Sequence, residues 1–145
     1  GTDSSLTNDH CLLEELRVAQ RETGLPAEKL YEMVTSRAAG ILRLRDGEGS
    51  LSRGGVADAV LIPDRGGSPC ESLLQATAAD VEAVLLGGAL KVLGGGVVGR
   101  LSGLPPELAP FEVAGRHLYL SGTGRELEQV NLPGYGETRR LPRAS

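Results

Sequence analysis

The chain changes texture once, at Asp46, and that switch limits its fold more than any other feature. Before Asp46, apolar residues recur at helical spacing. After it, short apolar runs are cut by glycine pairs and prolines. Leu12, Leu13, Leu16 and Ala19 fall on one helical face, with Glu14, Glu15, Arg17, Arg21 and Glu22 filling the wet one. Thr7-Asn8-Asp9 supplies capping oxygens and Gly24 a stop, so the spacing predicts a helix over 8–23. Pro26 suits a first helical turn. Leu30, Met33, Val34 and Ala38 then predict a second helix over 26–37, with a short helical turn running on to Leu42.

Beyond the switch, Asp58 to Ile62 reads as a strand ended by Pro63-Asp64. Residues 81–86 and 89–93 around Gly87-Gly88 have the layout of a two-residue hairpin. Phe111–Val113 and His117–Leu120 form a smaller hairpin turning at Ala114-Gly115, and the polar stretch 123–145 reads as a surface tail. Helices followed by strands define an α+β chain, not an alternating βαβ one. At 145 residues, 40% of them hydrophobic, the chain has room for one ordinary domain with a core.

Several functions are disfavoured at once. A net charge of -4 speaks against a nucleic-acid or anionic-membrane partner. No apolar run is long enough to span a bilayer, and no signal-peptide layout opens the chain. Cys11 and Cys70 make no Cys-x-x-Cys pair and no disulfide framework, so a reducing cytoplasm is the expected compartment. Three tyrosines, one phenylalanine and no tryptophan, beside 21 glycines, leave few aromatic platforms for stacking on bases or sugars. Only His10 and His117 are present, whereas a catalytic zinc commonly takes about three protein ligands.

The motifs thin out on inspection. Gly94-Gly95-Gly96-Val97-Val98-Gly99 matches G-x-G-x-x-G, but Gly103 and Pro105-Pro106 follow too soon for the long helix that dinucleotide binding requires. The run reads as a flexible glycine loop. No G-x-S-x-G elbow surrounds Ser4, Ser5 or any other serine. His10 reads as a helix-start residue, His117 as a sheet-surface residue, Cys11 as a helix-packing residue and Cys70 as a loop residue. Asp3 stands apart, since Gly1-Thr2 lead into it and a capped helix starts a few positions later. A barrel strand that delivers a carboxylate to the top of the barrel has this layout. A turn or capping aspartate has it too.

Taken in order, the segments resemble the C-terminal part of an amidohydrolase-superfamily metal-dependent hydrolase. Gly1-Thr2-Asp3-Ser4 is similar to the family's segment after the eighth barrel strand, and Leu12-Leu13-Glu14-Glu15-Leu16-Arg17 to the helix that follows it. Leu30-Tyr31-Glu32-Met33-Val34-Thr35 resembles the next helix, although Arg37-Ala38 stands where the family commonly has Asn-Pro. The most specific piece is Gly49-Ser50-Leu51-Ser52-Arg53-Gly54-Gly55-Val56-Ala57-Asp58-Ala59-Val60-Leu61-Ile62. It looks like the family's entry into its composite β-sandwich, and Val84-Leu85-Leu86-Gly87-Gly88 resembles a later hairpin of that sandwich. The likeness covers residues 1 to about 93 and thins beyond.

The resemblance implies a C-terminal fragment of a TIM-barrel enzyme: residues 1–45 the end of the barrel, 46–122 a segment of the sandwich, and 123–145 the tail. The activity implied is hydrolysis of a non-peptide C–N bond, in a cyclic or acyclic amide or by deamination of a heterocycle. Asp3 inherits the family's role of metal ligand and proton shuttle. The cofactor implied is a divalent metal, zinc first, held only once upstream histidines join it. The implied partners are an upstream barrel segment or companion chain and a small-molecule substrate, with a homo-oligomer also open. A barrel helix without its barrel would expose Leu12, Leu13 and Leu16, a face needing cover by a rearranged fold, an oligomer or another chain. The rival is a non-catalytic structural or assembly module derived from such an enzyme.

Overall fold

The computed structural model of the protein describes residues 11–122 and 138–142. Helix α1 spans Leu12–Thr23, α2 Ala27–Val34 and α3 Ser36–Leu42. Gly24 closes α1 in the left-handed conformation and donates its N–H to Gln20 O, as its position in the sequence implies. The second predicted helix is broken at Thr35, whose backbone leaves the helical region at φ -128 and ψ -110. Its hydroxyl donates back to Tyr31 O at 2.7 Å, the local competition with the helical ladder that threonine offers.

A fourth helix, α4 (Pro69–Gln75), comes from the stretch after Asp46 and returns to the first three. Ser68 and Glu71 make a capping box, each side chain accepting from the other's backbone N–H, and proline occupies the first turn. Cys70 therefore sits on a helix and not in a loop. Leu16, Ala27, Leu30 and Leu74 are buried together where α1, α2 and α4 meet, with Leu13, Leu25, Val34 and Leu73 packed around them. Arg17 fastens this contact, donating to Ala76 O at 2.6 Å and Leu74 O at 3.4 Å.

The strands are β1 (Ala59–Leu61), β2 (Ala83–Leu86), β3 (Ala89–Gly94), β4 (Leu108–Val113), β5 (Arg116–Ser121) and β6 (Thr138–Arg140). A single 3-10 turn, Ala78–Asp80, precedes β2, and a one-turn helix, α5 (Gly95–Val98), follows β3. All six strands join one antiparallel sheet in the order β1-β2-β3-β5-β4-β6. Both predicted hairpins form: β2 and β3 turn at Gly87-Gly88, and β4 and β5 turn at Ala114-Gly115. Within the polar stretch 123–145 expected as a surface tail, Thr138–Arg140 form β6, which pairs with β4 through Phe111↔Arg140 and Glu112↔Arg139, while 123–137 and 143–145 lie outside the described residues.

Strand alternation puts Ala109, Phe111 and Val113 on one face of the sheet with Leu118 and Leu120. Ala83, Leu93 and Leu108 cluster separately, with Val97 and Val98 of α5 packed against them. The chain is thus α+β, a four-helix group beside a six-stranded sheet. The described strands make one sheet; no second sheet faces it among the described residues. No helix there is long and apolar enough to cross a membrane.

Candidate functional site

Asp3, the carboxylate singled out by the sequence, lies outside the described residues, as do Ser4, Ser5 and His10. The remaining expected candidates are placed and kept apart. His117 stands on β5 with its ring exposed, opposite Glu112 on β4, and its Nε2 is 4.0 Å from that carboxylate. Arg139 of β6 reaches the same Glu112 oxygen at 3.4 Å from the other side. This is a cross-strand charge cluster on a wet face and contains no nucleophile.

Cys11 and Cys70 are both half-buried free thiols. Burial pushes the Cys70 thiol above its ordinary pKa, and the Glu28 carboxylate adds to the effect. A thiol with its pKa raised holds less thiolate at neutral pH, which makes Cys70 a packing residue on α4 and a poor nucleophile. Asp80 is perturbed the other way. The backbone N–H of Thr77 and then its hydroxyl hold the Asp80 carboxyl below the usual range, with Arg65 contributing further. That arrangement caps the 3-10 turn, with Asp80 and Thr77 in a reciprocal box.

The glycine run is ordered structure rather than a loop. Gly94 ends β3 and Gly95 opens α5. A Cβ at Gly94 would lie 3.3 Å from Glu82 O, and one at Gly95 3.2 Å from His117 O. These two glycines let neighbouring backbones approach closely. A four-residue helix between antiparallel strands is not the unit that seats a dinucleotide.

Among the described residues, two open clefts bear on function. One, of about 510 Å³, is lined by Glu82, Gly94, Gly95, Gly96, Val97, Arg116, His117 and Tyr119. Arg116 there donates to Ala78 O at 3.4 Å and Val81 O at 3.2 Å, so its guanidinium ties β5 to the turn before β2. The cleft offers a carboxylate, an imidazole and a phenol along a glycine wall, with no hydrogen bond joining any two of them among the described contacts. It can bind a polar group and shows no nucleophile–base pair. The other, also about 510 Å³, is lined by Arg45, Asp46, Gly47, Ser52, Arg53, Gly54, Gly55 and Val56. Arg45 belongs to no signature and Arg53 lies in the Gly49–Ile62 stretch without a role there; the signal for both is a local excess of positive charge in an acidic chain.

Among the described residues, no three His, Cys, Asp or Glu side chains converge to hold a metal. Those residues alone therefore do not fit the divalent metal that the resemblance implies. No protein-family model matches the chain, and neither does any curated protein or solved structure.

Proposed function

We propose that the chain is the C-terminal portion of a metal-dependent amidohydrolase acting on a non-peptide C–N bond, and that Asp3 is the carboxylate it contributes. What supports this reading is the order and spacing of its segments. The helix carrying Leu12 to Arg17, the glycine-marked entry from Gly49 into β1, and the β2–β3 hairpin follow one another as in that family. The substrate class is a cyclic or acyclic amide, or a heterocycle that is deaminated. Asp3, with upstream ligands, would hold a divalent metal, zinc first, which would supply Lewis-acid chemistry, and the Asp3 carboxylate would carry a proton from the attacking water to the leaving nitrogen. Upstream ligands, from a barrel segment or a companion chain, complete the centre, and the setting is cytoplasmic.

One observation favours the rival, a non-catalytic module. The face expected to need the barrel is covered within the chain: Leu16 is buried against α2 and α4, and Leu13 packs beside it, leaving Leu12 exposed. Native mass spectrometry of the protein purified from its source, with metal counted in the same run, separates the two. A polypeptide or complex heavier than 15.1 kDa that carries zinc is expected. In it Asp3→Asn should cut kcat by about a hundredfold or more with an unchanged melting temperature. A metal-free species at the mass of this chain alone would overturn the catalytic reading and leave the module.

A further inference from the structure

We propose that the segment from α3 through Arg53 is a docking surface for an acidic, apolar helix of another protein, with the cleft between Arg45 and Arg53 receiving one of its carboxylates. The proposal stands independently of the catalytic reading. Its first support is exposure. Ile41 is 74% exposed, Leu42 68%, Leu44 47% and Leu51 82%, four large apolar residues within eleven positions of sequence. Single exposed leucines are ordinary; four so close in sequence single this segment out as an interaction surface.

The second support is charge. Arg37, Arg43, Arg45 and Arg53 stand in the same stretch, against two carboxylates, Asp46 and Glu48, in a chain whose net charge is -4. All four arginines are exposed, and none makes an ion pair or a side-chain hydrogen bond among the described contacts. Arginine is over-represented at interface centres because its planar fork grips a carboxylate in two bonds.

The third support is geometry. Val56 N–H donates to Asp46 O at 2.7 Å, which draws 45–47 and 52–56 together around one cleft. Arg45 and Arg53 line it, and Leu44 and Leu51 lie just before them in sequence. Arg43 adds to this. It occupies the left-handed position that ends α3, at φ 58, where glycine would sit without strain. An arginine held there keeps its charge on this surface at a local cost in backbone energy.

The occupant follows from complementarity. A second copy would bring two positive surfaces together. An anionic membrane would have to accept a chain of net negative charge through a seven-residue helix, too short for an interfacial anchor. An amphipathic helix with leucine on one face and glutamate beside it meets both the apolar group and the arginines.

The test titrates the full 145-residue chain against a labelled helical peptide with leucine on one face and glutamate on the other, read by fluorescence anisotropy. Saturable binding that weakens with salt is expected. It should weaken about tenfold or more in Arg45→Gln/Arg53→Gln and in Leu44→Ser/Leu51→Ser, while the lysine counterpart of the peptide fails to bind. Arg43→Gly should weaken binding yet raise the melting temperature, which separates docking from folding. Absence of binding, equal binding of the lysine peptide, or unchanged affinity in these variants would overturn the proposal. So would co-sedimentation with phosphatidylserine vesicles, or concentration-dependent dimerisation, that the same variants abolish, because either assigns the surface to another occupant.

Discussion

Arg17 joins two helices that are far apart in sequence, and replacing it with methionine tests whether that junction holds the helical group. Its guanidinium donates to Ala76 O at 2.6 Å and Leu74 O at 3.4 Å, two carbonyls at the C-terminal end of α4 that have no intrahelical partner. Ala76 is 1% exposed, so water cannot easily replace the lost donor. Methionine keeps most of the apolar stem and removes only the charge and its hydrogen bonds. A hydrogen bond from a charged donor contributes about 1.5–3 kcal/mol, and the favourable placement of a cation at a helix C-terminus about 0.3–1 kcal/mol more. We therefore expect Arg17→Met to cost about 2–4 kcal/mol. At roughly 3 °C per kcal/mol for a chain of this size, the melting temperature falls by about 6–12 °C. Urea unfolding followed by far-ultraviolet circular dichroism measures the change as a lowered midpoint. The control is Lys29→Met, which removes a cation from an exposed pair with Glu32 on α2 and should cost less than about 1 kcal/mol. Equal losses in the two variants would refute the reasoning, since the junction would then be no more than surface charge.

Two further expectations rest on single contacts. A Cβ at Gly49, where φ is +76, would lie 2.6 Å from Thr35 O and 3.0 Å from the Ala39 Cβ, so Gly49→Ala should destabilise by more than about 2 kcal/mol. Gly54→Ala, at φ +85 with nothing within 4 Å, should cost only the left-handed backbone penalty of about 1 kcal/mol, and equal losses in denaturant would contradict the close approach. Asp80 titrates with a lowered pKa, so its contribution is complete above the unfolded-state carboxyl pKa and is lost as pH falls through the folded one. Asp80→Asn should therefore melt earlier at neutral pH and lose less on acidification below about pH 4; parallel acid limbs in the two thermal series would disprove the linkage.

What the sequence makes legible is what local chemistry decides. The two hairpins follow from Gly87-Gly88 and Ala114-Gly115, since each turn fixes its own register within a few residues. The break between α2 and α3 is not legible in apolar spacing, because Thr35 acts through a side-chain bond to Tyr31 O that spacing does not report. Helix α4 is too short for periodicity to reveal, yet Ser68-Pro69-Cys70-Glu71 spells its capping box in full. Strand β6 is the opposite case. Its pairing with β4 depends on a partner more than twenty residues away, and Thr138, Arg139 and Arg140 carry no apolar alternation that would announce it. The candidate site divides along the same line. Arg45 and Arg53 line one cleft because 45–47 and 52–56 come together through the Val56–Asp46 backbone bond and a close approach of Gly47 to Gly55, contacts that the spacing of apolar residues does not report.

That same division explains where the exposed apolar surface lies. The resemblance assigns it to α1, because Leu12, Leu13 and Leu16 form the stripe of a barrel helix whose barrel is not in these residues. The capping box at Ser68 starts α4, whose Leu74 joins Leu16 and Leu30 in the core. Once α4 is present, the stripe on α1 is largely satisfied within the chain. Ile41, Leu42, Leu44 and Leu51 after the Thr35 break stay exposed, as do Val60, Leu61 and Leu86 on the β1–β2 edge of the sheet. The break at Thr35 ends α2, while α4 packs on α1 and α2, and the segment after the break carries exposed apolar residues close in sequence to arginines that make no ion pair among the described residues. Filling Leu42 and Leu44 with serine should leave the α1–α2–α4 core intact, because neither residue belongs to it. Loss of helical stability in that variant would mean that the outward segment supports the core, and that its exposure is not available for a partner.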